Sequence, residues 1–238
     1  MLGLGNSIIS GAALQQAFVP TSVSNLELWL QNGVNVGVAV WGDQSGNSND
    51  AEQGTAGNQA VVSNGGLDFD GTDDFYTLTS GIAVAQRGSV NVFAVVNLDD
   101  DTTNTVVGTG TTADFFEMQN ATTLRFHFDN TASPEKIVYA AGTFSSGSKM
   151  LIHVEREGGA TGPVNVQKNG STVSRVSTTG DGNDSGAFTI DRIGERNGDR
   201  NLNGELLELL IYKDDTGSNM AGSDVVLVNN YLTSKHGL

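Results

Sequence analysis

Short runs of Val, Ile, Leu and Phe, each broken within a few residues by Gly, Ser, Thr, Asn or Asp, recur along this 238-residue chain. That texture predicts many short strands joined by many turns. Glycine is abundant at 31 residues and proline scarce at 3, while cysteine is absent. Without cysteine, neither disulfides nor thiolate-bound metals can hold the fold, so its core must suffice alone. All-β sandwiches commonly reach this length as one unit, and a single domain is expected.

The strand signals begin after Pro20. Leu26–Leu30 alternates, Val36–Trp41 is rich in β-formers, and Val90–Leu98 is apolar enough for a central strand. Leu124–Asp129 alternates strictly and Met150–Arg156 in part. Val164–Lys168 and Ser171–Val176 flank Asn169-Gly170, the pair that best tolerates the two positive φ angles of a type I′ turn. Further strands are expected at Phe188–Ile190 and Leu206–Tyr212. The chain closes differently. Ser223 precedes a run with apolar residues three and four apart, ending in Lys235, His236 and Gly237. These predict a capped helix over about 223–235, packing a Leu227/Tyr231 stripe on the sandwich.

Residues 1–24 form a distinct segment: no side chain from Met1 to Leu26 is charged. Apolar positions Leu2, Leu4, Ile8, Ile9, Leu14 and Phe18 make it a candidate docking arm, although the same burial would serve an arm that packs on its own sandwich. Residues 25–238 are expected to form the sandwich proper. Twelve Lys and Arg against 27 Asp and Glu leave a formal charge of −15, which repels phosphate backbones and anionic membrane surfaces. Neither nucleic acid nor membrane is expected as a partner. The start fits a secretory signal poorly, and synthesis in the cytoplasm is expected.

Several segments together resemble the laminin-G/concanavalin A-like jelly-roll family, especially versions found in tailed-bacteriophage virion proteins. They are Leu26–Leu30, Trp41–Asn49, Leu67–Phe75, Ile193-Gly194, Asn203–Tyr212 and Tyr231–Gly237, in that order. The resemblance implies a two-sheet antiparallel jelly roll with an N-terminal extended arm and a short C-terminal helix. It also implies a non-catalytic virion structural protein, in particular a capsid decoration or cement protein. Its partners would be the major capsid protein, other virion proteins and copies of itself. The alternative is a carbohydrate-binding appendage or fibre module that recognises host glycans through rim loops such as Asp43–Asn49 and Asp70–Asp74, with calcium as a possible aid.

Glu205 and Glu208 are the close carboxylate pair on a predicted strand, but an offset of three places them on opposite faces of a regular strand, which fails glycoside hydrolysis. The resemblance implies a structural role for Glu208, through hydrogen bonds to nearby loop backbone. No catalytic residue and no cofactor are assigned. Asp43, Asp70 and Asp73 are the candidate calcium ligands, weighed against the favoured reading that they cap tight turns. Asp181–Gly186 does not complete an EF-hand loop. His127 and His153 are expected on a shared, more polar sheet face, without the spacing of a metal site.

Overall fold

A computed structural model describes residues 18–110, 115–127, 135–140, 142–161, 163–179, 186–198 and 200–238. The strands are β1 (Leu26–Leu30), β2 (Val40–Trp41), β3 (Ala51–Glu52), β4 (Val61–Ser63), β5 (Gly66–Asp70), β6 (Tyr76–Val84), β7 (Ser89–Leu98), β8 (Asn104–Gly108) and β9 (Phe115–Asn120). They continue with β10 (Thr123–His127), β11 (Glu135–Tyr139), β12 (Met150–Arg156), β13 (Val164–Lys168), β14 (Ser171–Thr172), β15 (Arg175–Thr179), β16 (Phe188–Ile193) and β17 (Asn203–Asp214), before helix α1 (Gly222–His236). All pairings are antiparallel. One sheet runs β14-β13-β12-β7-β17-β5-β4 with β1 also on β17, and the other runs β15-β11-β10-β9-β8-β16-β6-β3-β2. This is the expected two-sheet sandwich.

The inner faces of both sheets form one core, including Trp41, Phe69, Phe116, Phe126 and Ile193. Along β7 the even positions Val90, Val92, Ala94, Val96 and Leu98 enter this core, while Phe93 and Val95 face the other way into a second core beneath α1. Both faces being covered is why Val90–Leu98 reads as a nearly continuous apolar run. Full burial of a ring such as Phe93 is worth about 1.5–3 kcal/mol. Arg156, fully buried, closes one end of the inner core by donating to the Gly88 and Gly186 carbonyls at 2.6 and 2.7 Å and lying over the Phe188 ring.

Turn chemistry sets the register of the outer elements. Asn169 and Gly170 adopt φ of 49° and 75°, joining β13 to β14 as the type I′ pair predicts. Beyond Thr172, however, the strand expected to reach Val176 breaks. Val173 packs against the inner core, and Arg175 begins β15 in the opposite sheet. Val36–Trp41 is likewise no continuous strand: Asn35 has φ 52°, Gly37 N–H donates to Val40 O, and Val36 bridges Trp41 across the resulting turn.

Helix α1 starts one residue early, with Ala221 as N-cap and no side-chain cap, so Ser223 lies inside the first turn. Gly237 at φ 68° ends it in the left-handed conformation. Its buried stripe is Val225, Val228, Asn229, Leu232 and His236, with Tyr231 at the margin and Leu227 43% exposed. The stripe is therefore rotated from the expected Leu227/Tyr231 line. Glu208 accounts for the rotation. Its carboxylate is fully buried and accepts from Trp29 Nε1 at 2.8 Å, Tyr231 Oη at 3.1 Å, Lys235 Nζ at 2.9 Å and His236 Nε2 at 2.7 Å. Three of these donors sit on α1, so their common acceptor fixes both the turn and the height of the helix. Among the described residues no helix is long and apolar enough to cross a membrane.

Burial alone would raise the Glu208 carboxyl, but donation from His236, Trp29 and Lys235 and the Lys235 charge hold it below its ordinary 4.5. A depressed folded value means stabilisation that is complete above the ordinary carboxylate range and lost as pH falls through the folded value. Glu208→Gln is expected to cost about 3 kcal/mol at neutral pH, and the gap to the parent chain to narrow in acid. Urea unfolding at a series of pH values measures both.

Candidate functional site

The two carboxylates of β17 do share a face. A β-bulge between Leu206 and Glu208 sets Glu205 opposite Asn97 and Glu208 opposite Val95, and both turn away from the inner core. The expectation of opposite faces assumed a regular strand, and the extra residue of the bulge cancels it. Neither carboxylate has the raised pKa of a general acid. For Glu205, burial would raise it, but Ser63, Asn97 and Asn64 donate to it and hold it low. Glu208 is spent on side chains of β1 and α1, not on the loop backbone expected.

The two histidines lie in different sheets, His127 on β10 and His153 on β12, so they share no face. Both are buried. His153 stacks on Phe93 with centroids 4.0 Å apart, and its Nε2 donates to Asn91 Oδ1 at 2.8 Å. Desolvation pushes it down to about 4. His153 does point away from the inner-core residues Ile152 and Val154, but α1 covers that face of the sheet and turns a polar position into an interior one.

The calcium candidates separate into two places. Asp43 Oδ1 accepts from the Trp29 and Ser45 backbone at 2.9 and 2.8 Å, and Oδ2 from Ser45 Oγ and the Asn49 backbone at 2.6 and 3.0 Å. Those bonds organise the Trp41–Asn49 loop against β1. Asp70 Oδ1 accepts from Thr72 and Asp73 N–H, and Asp74 Oδ2 from Asp70 N–H at 2.9 Å. Asp70, Asp73 and Asp74 present one oxygen each within 4.8 Å of one another. Three carboxylates, two of them, Asp70 and Asp74, already engaged in the turn, fall short of the six to eight oxygens calcium prefers.

This acidic turn borders an open relief formed by two adjoining concavities. A concavity of about 480 Å³ is lined chiefly by Asn58, Asp73, Phe75, Arg192, Glu195 and Asn197, and one of about 440 Å³ adjoins it through Thr72, Gly198 and Asn201. The volumes are those of ordinary small-ligand sites. Arg192 lies over the Phe75 ring at 5.4 Å, with Glu195 at 3.4 Å and Asp191 at 3.7 Å. A Cβ on Gly110 would meet Arg192 Nη2 at 2.5 Å, so glycine there admits the guanidinium. Asn201 Nδ2 donates to Thr72 O and ties the two loops together. Behind them, fully buried Glu117 on β9 meets Arg125 at 2.9 Å, Arg200 at 3.5 Å and Arg196 at 3.6 Å.

Of these concavities, the sequence points only to the Asp70–Asp74 rim loop, which supplies Gly71, Thr72 and Asp73. Their other walls come from loops more than a hundred residues apart. The one local signal was Arg192, Arg196 and Arg200 at intervals of four in a chain with 12 basic residues. Among the arm residues, Leu2, Leu4, Ile8, Ile9 and Leu14 lie outside the described residues, as do Phe128, Asp129 and Asp181–Ser185. Phe18 is partly buried, its ring 6.1 Å from that of Tyr231. Pro20 is buried and its carbonyl accepts from Tyr212 Oη at 3.2 Å, and Val23 joins the core beneath α1.

No protein-family model and no curated protein sequence matches the chain. Solved structures do. A sialidase from Trypanosoma rangeli superposes with TM-score 0.54 at 14% identity, over 89% of this chain and 33% of that one. The binding domain of botulinum neurotoxin serotype D gives 0.52 at 13%, over 89% and 52%, and that of Paraclostridial Mosquitocidal Protein 1 gives 0.53 at 13%, over 90% and 53%. This chain therefore spans about a third of the sialidase and half of each toxin domain. At such identity the likeness shows a shared sandwich, hosted by an enzyme and by binding domains alike.

Because its folded value is depressed, His153 should remain neutral down to about pH 4. Stability is then lost as pH falls from the ordinary histidine range toward that value. The His153 ring proton shifts, followed by NMR, are expected to show no titration near 6.5.

Proposed function

We propose that this chain is a non-catalytic structural protein of a phage virion, most specifically a capsid decoration protein attached through its uncharged N-terminal stretch. One geometric relation carries the proposal. The root of that stretch, Phe18–Val23, is built onto Tyr212 and Tyr231, whereas the open concavity lies beyond Asn203, at the other end of β17. At about 3.3 Å per residue the two are roughly 30 Å apart along the strand. A module held at one end can present the other, and many modest copies of such a contact add through multivalency. The resemblance to tailed-phage proteins supplies the particle. The partner is then the major capsid protein or a neighbouring copy of this chain.

Deleting residues 1–17 tests this. The full chain is expected to bind phage heads or self-associate while the deletion variant does neither at unchanged melting temperature. Two inert monomers of equal protease resistance would count against the arm, and a parent particle lacking a stoichiometric copy would sink the reading.

A second reading, glycan recognition, is favoured by the concavity itself, which offers amides, carboxylates and the Phe75 side chain in the manner of a sugar site. A glycan array probes it, with a chelator arm reporting whether Asp70, Asp73 and Asp74 act through calcium. Asn58→Ala should weaken any genuine signal about tenfold. Silence on every glycan would end this reading and leave the assembly role standing.

A further inference from the structure

Five Asn-Gly pairs occur in the chain: Asn32-Gly33, Asn64-Gly65, Asn169-Gly170, Asn197-Gly198 and Asn203-Gly204. Each has the covalent makings of deamidation. The glycine backbone nitrogen attacks the Asn Cγ, the Cγ–Nδ2 bond breaks, and ammonia departs carrying the amide proton. Water then opens the cyclic imide at either carbonyl, leaving aspartate or isoaspartate. Glycine permits this because no Cβ obstructs the approach. In a folded chain, the reaction further requires a side-chain amide free to swing onto the next nitrogen.

Four of the pairs are held. Asn32 Nδ2 donates to Asn64 O at 2.9 Å, and the would-be nucleophile, Gly33 N, donates to Gly65 O at 2.7 Å. The Asn64 amide is bonded to Glu205 and Ser63. Asn169 Oδ1 accepts from Leu151 N–H at 2.8 Å while Asn169 N–H returns a bond to Leu151 O. Asn203 Nδ2 donates to Asp100 at 2.7 Å, and Gly204 lies inside β17, where a Cβ would meet Asn97 O at 2.5 Å. Hydrogen-bonded amides in paired strands and tight hairpins must first open locally, which lowers the reactive population.

Asn197 differs at its side chain: it and Gly198 are exposed, as Asn169 and Gly170 are, and its backbone N–H donates to Thr109 O at 2.8 Å, but its amide is not tied down. Its side chain makes no hydrogen bond among the described residues, and nothing lies within 4 Å of a Cβ on Gly198. We propose that Asn197 is a built-in deamidation site, converted by water to aspartate or isoaspartate in the folded protein ahead of the other four pairs. The product matters because of its place. Asn197 lines the 480 Å³ concavity with Asp73, Glu195 and Arg192, so conversion sets a new carboxylate in that wall. Isoaspartate also lengthens the backbone of the turn between β16 and β17. The proposal is independent of what the concavity binds.

The full chain, incubated at neutral to mildly alkaline pH, is followed by peptide mass spectrometry with enzymatic isoaspartate detection. A parallel sample is held unfolded in urea. Asn197 is expected to convert several-fold faster than any other Asn-Gly pair in the folded chain, with the five rates drawing together in urea. Asn197→Gln should abolish the leading product at unchanged melting temperature. Faster conversion of any of the other four in the folded chain overturns the proposal. So does an intact Asn197 under conditions that convert the unfolded chain.

Discussion

A single buried carboxylate organises the part of this sandwich that differs from a plain pair of sheets. Glu208 sits on the central strand β17 and gathers one donor from β1 and three from α1. An unpaired carboxylate there would be costly, so the donors must arrive together, and helix and sheet settle as one unit. With α1 in place, Phe93, Val95, Leu151 and Leu210 acquire a roof. His153 loses its water for the same reason, and Phe18 finds the Tyr231 ring on which the N-terminal segment is rooted.

The bulge that turns Glu208 toward the helix also turns Glu205 the same way, toward Ser63, Asn64 and Asn97. Two carboxylates on one face would suggest hydrolytic chemistry, but each is saturated with donors and held ionised. Polar capacity for a ligand lies instead beyond the Asn203 end of β17, where Arg192, Phe75 and the Asp70–Phe75 turn form an open wall braced by Glu117 and its arginines. The larger concavities lie at the Asn203 end of the strand, and a smaller one of about 270 Å³ lies at the other end beside Val23, Asn25 and Tyr212.

Much of the fold was legible because it rests on local rules. The alternation at Leu26–Leu30, the apolar run at Val90–Leu98, the Asn169-Gly170 turn and the Gly237 terminator each reflect a constraint that a few neighbouring residues satisfy by themselves. Errors arose where distant elements decide. The rotation of α1 depends on an acceptor in β17, and the break after Thr172 on the inner core against which Val173 packs. The shared face of Glu205 and Glu208 depends on one extra residue in the ladder. The candidate site was the least legible part, because Asn58, Phe75, Gly110 and Asn201 from four connections meet Arg192 of β16 only in the folded chain.

The amino-acid sequence by itself determined an all-β chain with a closing helix, a core independent of disulfides, an anionic surface and an uncharged leading segment, since periodicity, turn chemistry and charge are properties of neighbours. Only the tertiary structure decided which polar residues remain in contact with solvent. Burial and partnership are properties of whatever packs on top: they sealed His153 and Glu208 inside, held four Asn-Gly pairs in hydrogen bonds, and left Asn197 and the Arg192 wall open.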